Sequence, residues 1–171
     1  GSFTNTGTIN GSDNGINIRS GGKIAGGLIN SNSIVGTTQG ILLESGGDIE
    51  GGITNSGTIS GGVDGILVTG AGSTITGTVT NTGTITGATG INVITDGTLD
   101  KIENRGAIIG TSGTAINYNG SNNNQLVFHP GSTIKGNIAF GAGTGNQITI
   151  ASGMHPSAVY QYSGNLAALN I

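Results

Sequence analysis

The sequence predicts an all-β protein: a right-handed, single-stranded parallel β-helix of about seven coils, each of about 25 residues with three short strands. Three observations carry that prediction. The asparagines Asn5, Asn30, Asn55, Asn81 and Asn104 recur at spacings of 25, 25, 26 and 23 residues. The isoleucines Ile16, Ile41, Ile66, Ile91 and Ile116 recur at 25 each time. Finally, 36 Gly, 23 Thr, 19 Asn and 15 Ser fill more than half of the 171 positions beside 24 Ile. That pairing separates the chain from disordered Gly/Ser/Asn-rich segments, which are poor in β-branched apolar residues.

The first element of each coil reads Phe3-Thr4-Asn5-Thr6-Gly7-Thr8-Ile9-Asn10-Gly11. It returns as LINSNSIVG (28–36), ITNSGTISG (53–61), VTNTGTITG (79–87) and IENRGAIIG (102–110). Its apolar runs are short, alternate with polar residues and end at Gly or Asn, the pattern of strands between tight turns. Gly7, Gly57, Gly83 and Gly106 share a column with Asn32. Glycine and asparagine best tolerate positive φ, so a left-handed turn residue is expected there.

The second element, Gly15-Ile16-Asn17-Ile18, recurs at Gly40, Gly65 and Gly90, and in a divergent form at Ala115. A third apolar column runs Ile24, Ile49, Ile75, Leu99. One such unit cannot bury its few isoleucines, so neighbours must stack to make a core. Inward columns are therefore Ile9/Ile34/Ile59/Ile85/Ile108, Ile16 through Ile116, and Ile24 through Leu99. A strand spacing of about 4.8 Å gives a rod about 30 Å long. Crossovers between parallel strands set the right-handed expectation.

Coils span 1–153, regular over 3–125 and irregular over 126–153. Leu126–Gly136 reads as a sixth coil that has lost the Asn column, and Ile148-Thr149-Ile150 as the start of a seventh. Residues 154–171, with Tyr160, Tyr162 and Leu166, form a divergent last coil or a cap.

Composition excludes several function classes. A formal charge of −3 gives no basic footprint for nucleic acid. Absence of Cys excludes disulfide frameworks and cysteine-based zinc sites. No apolar run approaches a membrane helix, and Gly1-Ser2-Phe3-Thr4 does not open like a signal peptide.

The phrases ITNSGTISGG…GILV and VTNTGTITGATGINV resemble the passenger regions of Gram-negative autotransporters of the type V secretion pathway. The resemblance covers roughly residues 3–150. It implies a right-handed β-helix exported through the outer membrane to the cell surface, with a C-terminal β-barrel translocator in the full-length protein. It also implies an adhesin, a self-association factor or a rigid stalk for another domain. Its partners would be a host-surface glycan or protein, or an identical rod.

Candidate sites follow from the columns. Asn5, Asn30, Asn55, Asn81 and Asn104 read as a structural ladder of stacked amides. Thr6/Thr8, Ser31/Ser33, Ser56/Thr58 and Thr82/Thr84 make two hydroxyl columns, broken at Arg105/Ala107. They read as a solvated turn surface able to contact a partner, with ice binding as the alternative. Repetition would supply avidity. Arg19 falls opposite Glu44, and Lys23 opposite Asp48, as ion pairs on the surface.

Glu44, Asp48 and Glu50 form the one acidic cluster, and two carboxylates flanking a cleft are what glycosidic hydrolysis needs. A polysaccharide-cleaving β-helix using them is the enzymatic alternative; the reading adopted is non-enzymatic. His129-Pro130 and His155-Pro156 read as turns, with no third ligand for a metal beside them. Asp13 and Asp64, two residues and one residue before a glycine, read as turn formers. No cofactor is expected.

Overall fold

The computed structural model describes residues 1–153, 160–166 and 168–170. They form an all-β solenoid of about six turns, with parallel strands stacked about 25 residues apart. Register follows the repeat: Phe3 pairs with Leu28, Leu28 with Ile53, Ile53 with Val79, and Val79 with Ile102. Ile9, Ile34, Ile59, Ile85 and Ile108 likewise stack in register, as do Ile16, Ile41, Ile66, Ile91 and Ile116.

Each early coil carries four strand segments where three were expected. The first coil has Phe3–Asn5, Thr8–Gly11, Asn14–Ile18 and Lys23–Ile24. The first repeat element is thus two strands, because the turn after the ladder asparagine bends the chain between two sheets of ten strands each. Further along, neighbouring segments fuse, giving Thr74–Asn81 and Thr84–Ile94. Gly77, at φ 108°, absorbs the register shift between Ile75 and Thr78.

Ile34, Ile59, Ile85 and Ile108 are wholly buried, as are Ile41, Ile66, Ile91 and Ile116. Their first-coil counterparts Ile9 and Ile16 are only partly buried and pack against this core. Each fully buried Ile contributes about 1.5–3 kcal/mol, and only because coils lie on both sides of it.

The glycine column has a different cause from the one expected. None of Gly7, Asn32, Gly57, Gly83 and Gly106 adopts positive φ. A Cβ on Gly57 would lie 1.9 Å from Asn32 O, and one on Gly83 2.0 Å from Gly57 O. From the third coil on, successive turns stack backbone on backbone, and close approach selects glycine at Gly57, Gly83 and Gly106, while Gly7 is open and Asn32 carries its side chain. Left-handed residues sit at another corner, at Ser20-Gly21 and Ser45-Gly46.

Toward the C-terminus Phe128 takes the register position after Asn104, and Ile150 follows Phe128. The amide column thereby becomes apolar, and Phe128 stacks on Tyr160 with ring centroids 4.8 Å apart. Tyr162–Ser163 pairs with Ile138–Ala139, and Ala168–Asn170 with Gln147–Thr149, extending the parallel stack. Residues 154–159, including His155-Pro156, lie outside the described residues.

Candidate functional site

The asparagine column is a ladder of buried amides. Asn5 donates to Asn30 Oδ1, Asn30 to Asn55, Asn55 to Asn81 and Asn81 to Asn104, each over 2.8 Å. Every Nδ2 also donates to a carbonyl one coil on: Ser33, Thr58, Thr84, Ala107 and Thr133 O, at 3.0–3.2 Å. Both amide hydrogens are thus committed, and Asn30 through Asn104 are inaccessible to solvent. The column ties two sheets and successive coils together and leaves no group for a ligand.

The hydroxyl columns lie outside. Thr8, Ser33, Thr58 and Thr84 are register partners, with Ala107 next. Thr6, Thr8, Ser31, Ser56, Thr58 and Thr82 are exposed, while Ser33 and Thr84 are half-buried. Ser56 and Thr82 turn their hydroxyls back to Asn30 O and Asn55 O, at 3.4 and 3.3 Å. The remainder face water at the strand spacing of about 4.8 Å.

The acidic residues are engaged separately. Lys23 Nζ lies 3.6 Å from Asp48 Oδ2 and closer still to Glu50 Oε1. The Glu50 hydrogen bond, with smaller contributions from Asp48, raises the Lys23 pKa above its ordinary value. Glu44 Oε1 instead accepts from Asn17 Nδ2 at 3.0 Å. Among the described residues the expected ion pair of Arg19 with Glu44 does not form; the Glu44 side chain reaches diagonally to Asn17 and not along its column.

His129 Nε2 lies 3.8 Å from Glu103 Oε2, while Lys101 Nζ lies 2.6 Å from Glu103 Oε1. The Lys101 hydrogen bond, above all, holds the Glu103 carboxyl below the usual range. Among the described residues no group of three His, Asp or Glu side chains converges as a metal site would require.

Two features were not read from the sequence. Asn117 Nδ2 donates to Asn92 Oδ1 at 2.9 Å, and Asn92 Nδ2 donates to Asp64 Oδ1 at 3.0 Å. Asp64, expected in a turn, begins the strand Asp64–Thr69 and is 3% exposed. Burial raises its pKa above 3.8, against the opposing hydrogen bonds of Asn92 and Gln39. The spacing of 25 between Asn92 and Asn117 was the available signal.

The second feature is a notch of about 300 Å³ at the corner between the fourth and fifth coils. Its polar lining comes from Thr95, Asp96, Thr98, Asn119, Ser121 and Asn122. Tyr118 closes its inner side and stacks on Phe140 with ring centroids 5.9 Å apart. Burial, with a smaller contribution from Asp100, pushes the Tyr118 phenol well above its ordinary value.

No family model, curated protein or solved structure matches this chain.

Proposed function

We propose that this chain is a non-enzymatic segment of a surface-displayed, type V-secreted passenger, working as an adhesive or self-associating rod. The observation that carries the reading is how polar groups are distributed. The ladder amides are consumed internally, Glu44, Asp48, Glu50 and Glu103 are each engaged by neighbouring side chains, and hydroxyls repeat along the outside at even spacing. Such a surface makes many equivalent weak contacts, and repetition converts them into avidity. The resemblance of the ITNSGTISG and VTNTGTITG phrases to autotransporter passengers supports export through an outer-membrane β-barrel supplied by the same polypeptide.

The test is to express the surface-displayed parent polypeptide with and without residues 3–150. Attachment to glycan- or protein-coated surfaces, or aggregation of expressing cells, is expected to fall on deletion. Unchanged attachment and aggregation would overturn the adhesive reading.

A further inference from the structure

The third and fourth segments of the early coils meet at a tight corner. In the first two coils a four-residue turn is closed by Gly22 N–H donating to Arg19 O (2.9 Å) and Gly47 N–H to Glu44 O (3.0 Å). Its central residues are left-handed: Ser20 and Gly21 at φ 54° and 71°, Ser45 and Gly46 at 51° and 79°. The fourth coil keeps the same turn, with Gly97 N–H donating to Ile94 O over 3.0 Å. There, however, the central pair is Thr95 and Asp96, at φ 52° and 63°.

Stacking imposes the left-handed pair, and the repeat already contains its low-strain form, Ser-Gly. A β-branched threonine at positive φ is a genuine outlier. Nothing in the turn compensates for it: among the described residues neither Thr95 nor Asp96 makes a side-chain hydrogen bond. Strain without a structural return is a mark of a functional position. Asn119, at φ 32°, faces the same notch from the next coil.

Thr98 and Ser121 spend their hydroxyl protons outside the notch, on Thr74 Oγ1 and Asn124 Oδ1. Asn122 Oδ1 accepts from Thr144 N. Thr95, Asp96, Asn119 and the Asn122 amide nitrogen remain to meet a ligand. This set is one carboxylate, one hydroxyl and two carboxamide side chains, with no cation among the lining residues. It repels phosphates and other anions, and one carboxylate is too little for a metal ion. A carboxylate beside carboxamides suits vicinal hydroxyls, which need acceptors and donors in close alternation.

We propose that this notch is a subsite for one neutral hexose unit of a surface glycan. The proposal rests on the surface-binding reading above and places that contact at one corner, apart from the Thr/Ser columns. With no exposed aromatic ring in the lining, affinity for a single sugar is expected in the millimolar range, about 1 mM or weaker.

The experiment is a ¹⁵N–¹H chemical-shift titration of the full chain with four probes. These are methyl α-mannopyranoside, methyl β-galactopyranoside, methyl β-glucopyranoside and methyl N-acetyl-β-glucosaminide, each to about 50 mM. At least one is expected to give saturable shifts confined to 94–98 and 119–122. Asp96→Gly removes the carboxylate and restores a low-strain turn, so binding should weaken at least about tenfold while thermal stability holds or rises. No saturable shift with any probe, or unchanged binding in Asp96→Gly, overturns the subsite. A null titration alongside lost attachment on segment deletion refutes the subsite alone. Sugar binding alongside unchanged attachment refutes the surface role alone.

Discussion

Asn55 donates its amide to Asn81 Oδ1 at 2.8 Å while its own Oδ1 accepts from Asn30, so each inner ladder residue is bonded on both sides. Replacing Asn55 with Ala strands Asn81 Oδ1 and removes the donor to Thr84 O. Buried groups left without partners cost about 1–3 kcal/mol each. Asn55→Ala should therefore lose about 3–5 kcal/mol in a urea titration, and Asn5→Ala, at the partly open first rung, clearly less. Equal losses at both positions would count against a cooperative ladder.

Close backbone approach, as the cause of the glycine column, makes a prediction that left-handed geometry does not. A Cβ at Gly83 would meet Gly57 O at 2.0 Å, whereas one at Gly7 would meet nothing within 4 Å. Gly83→Ala should cost about 2 kcal/mol or more through backbone displacement. Gly7→Ala should be neutral or stabilise by up to about 1 kcal/mol through the unfolded chain. Thermal unfolding of the two variants decides between the causes.

Asp64 titrates in the direction opposite to a paired carboxylate. Its folded pKa lies above the unfolded 3.8, so the native state binds the extra proton. Its contribution is full below 3.8 and is lost as pH rises through the folded value. Asp64→Asn keeps an acceptor for Asn92 and removes that loss. Compared with wild type, the variant should gain thermal stability from pH 4 upward, and the two curves should converge below it. Glu103, whose pKa is lowered, gives the opposite slope in both proteins and cancels in the difference.

Tyr118 is wholly buried, and its hydroxyl has no hydrogen-bond partner among the described residues. Tyr118→Phe keeps the stack on Phe140 and removes the unsatisfied group. The change should be neutral or stabilising by about 1 kcal/mol in equilibrium unfolding. A loss of more than that would mean the phenol oxygen has a partner, such as a bound water.

Much of this architecture was legible because translation along a solenoid axis turns a sequence period into a contact. Ile34 stacks on Ile59, and Asn30 bonds to Asn55, as their spacing of 25 implies. The candidate sites were less legible. Lys23 prefers Glu50 to its register partner Asp48, and Glu44 goes to Asn17, because long side chains reach diagonally. A column assignment fixes where a Cα sits and leaves open which neighbour the side-chain tip selects.

By itself, then, the sequence determined the period, the strand class, the inward isoleucine columns and the residues that stack. These depend only on repetition and the alternation of side chains along a strand. Tertiary structure decided that each early coil has four segments and that Gly57 and Gly83 are set by neighbouring backbone. It also decided that Asp64 is buried beneath Asn92, and that a strained Thr95-Asp96 pair borders a notch. Each depends on how two coils meet at a corner, where backbone direction changes, and a corner's shape is a property of two coils together.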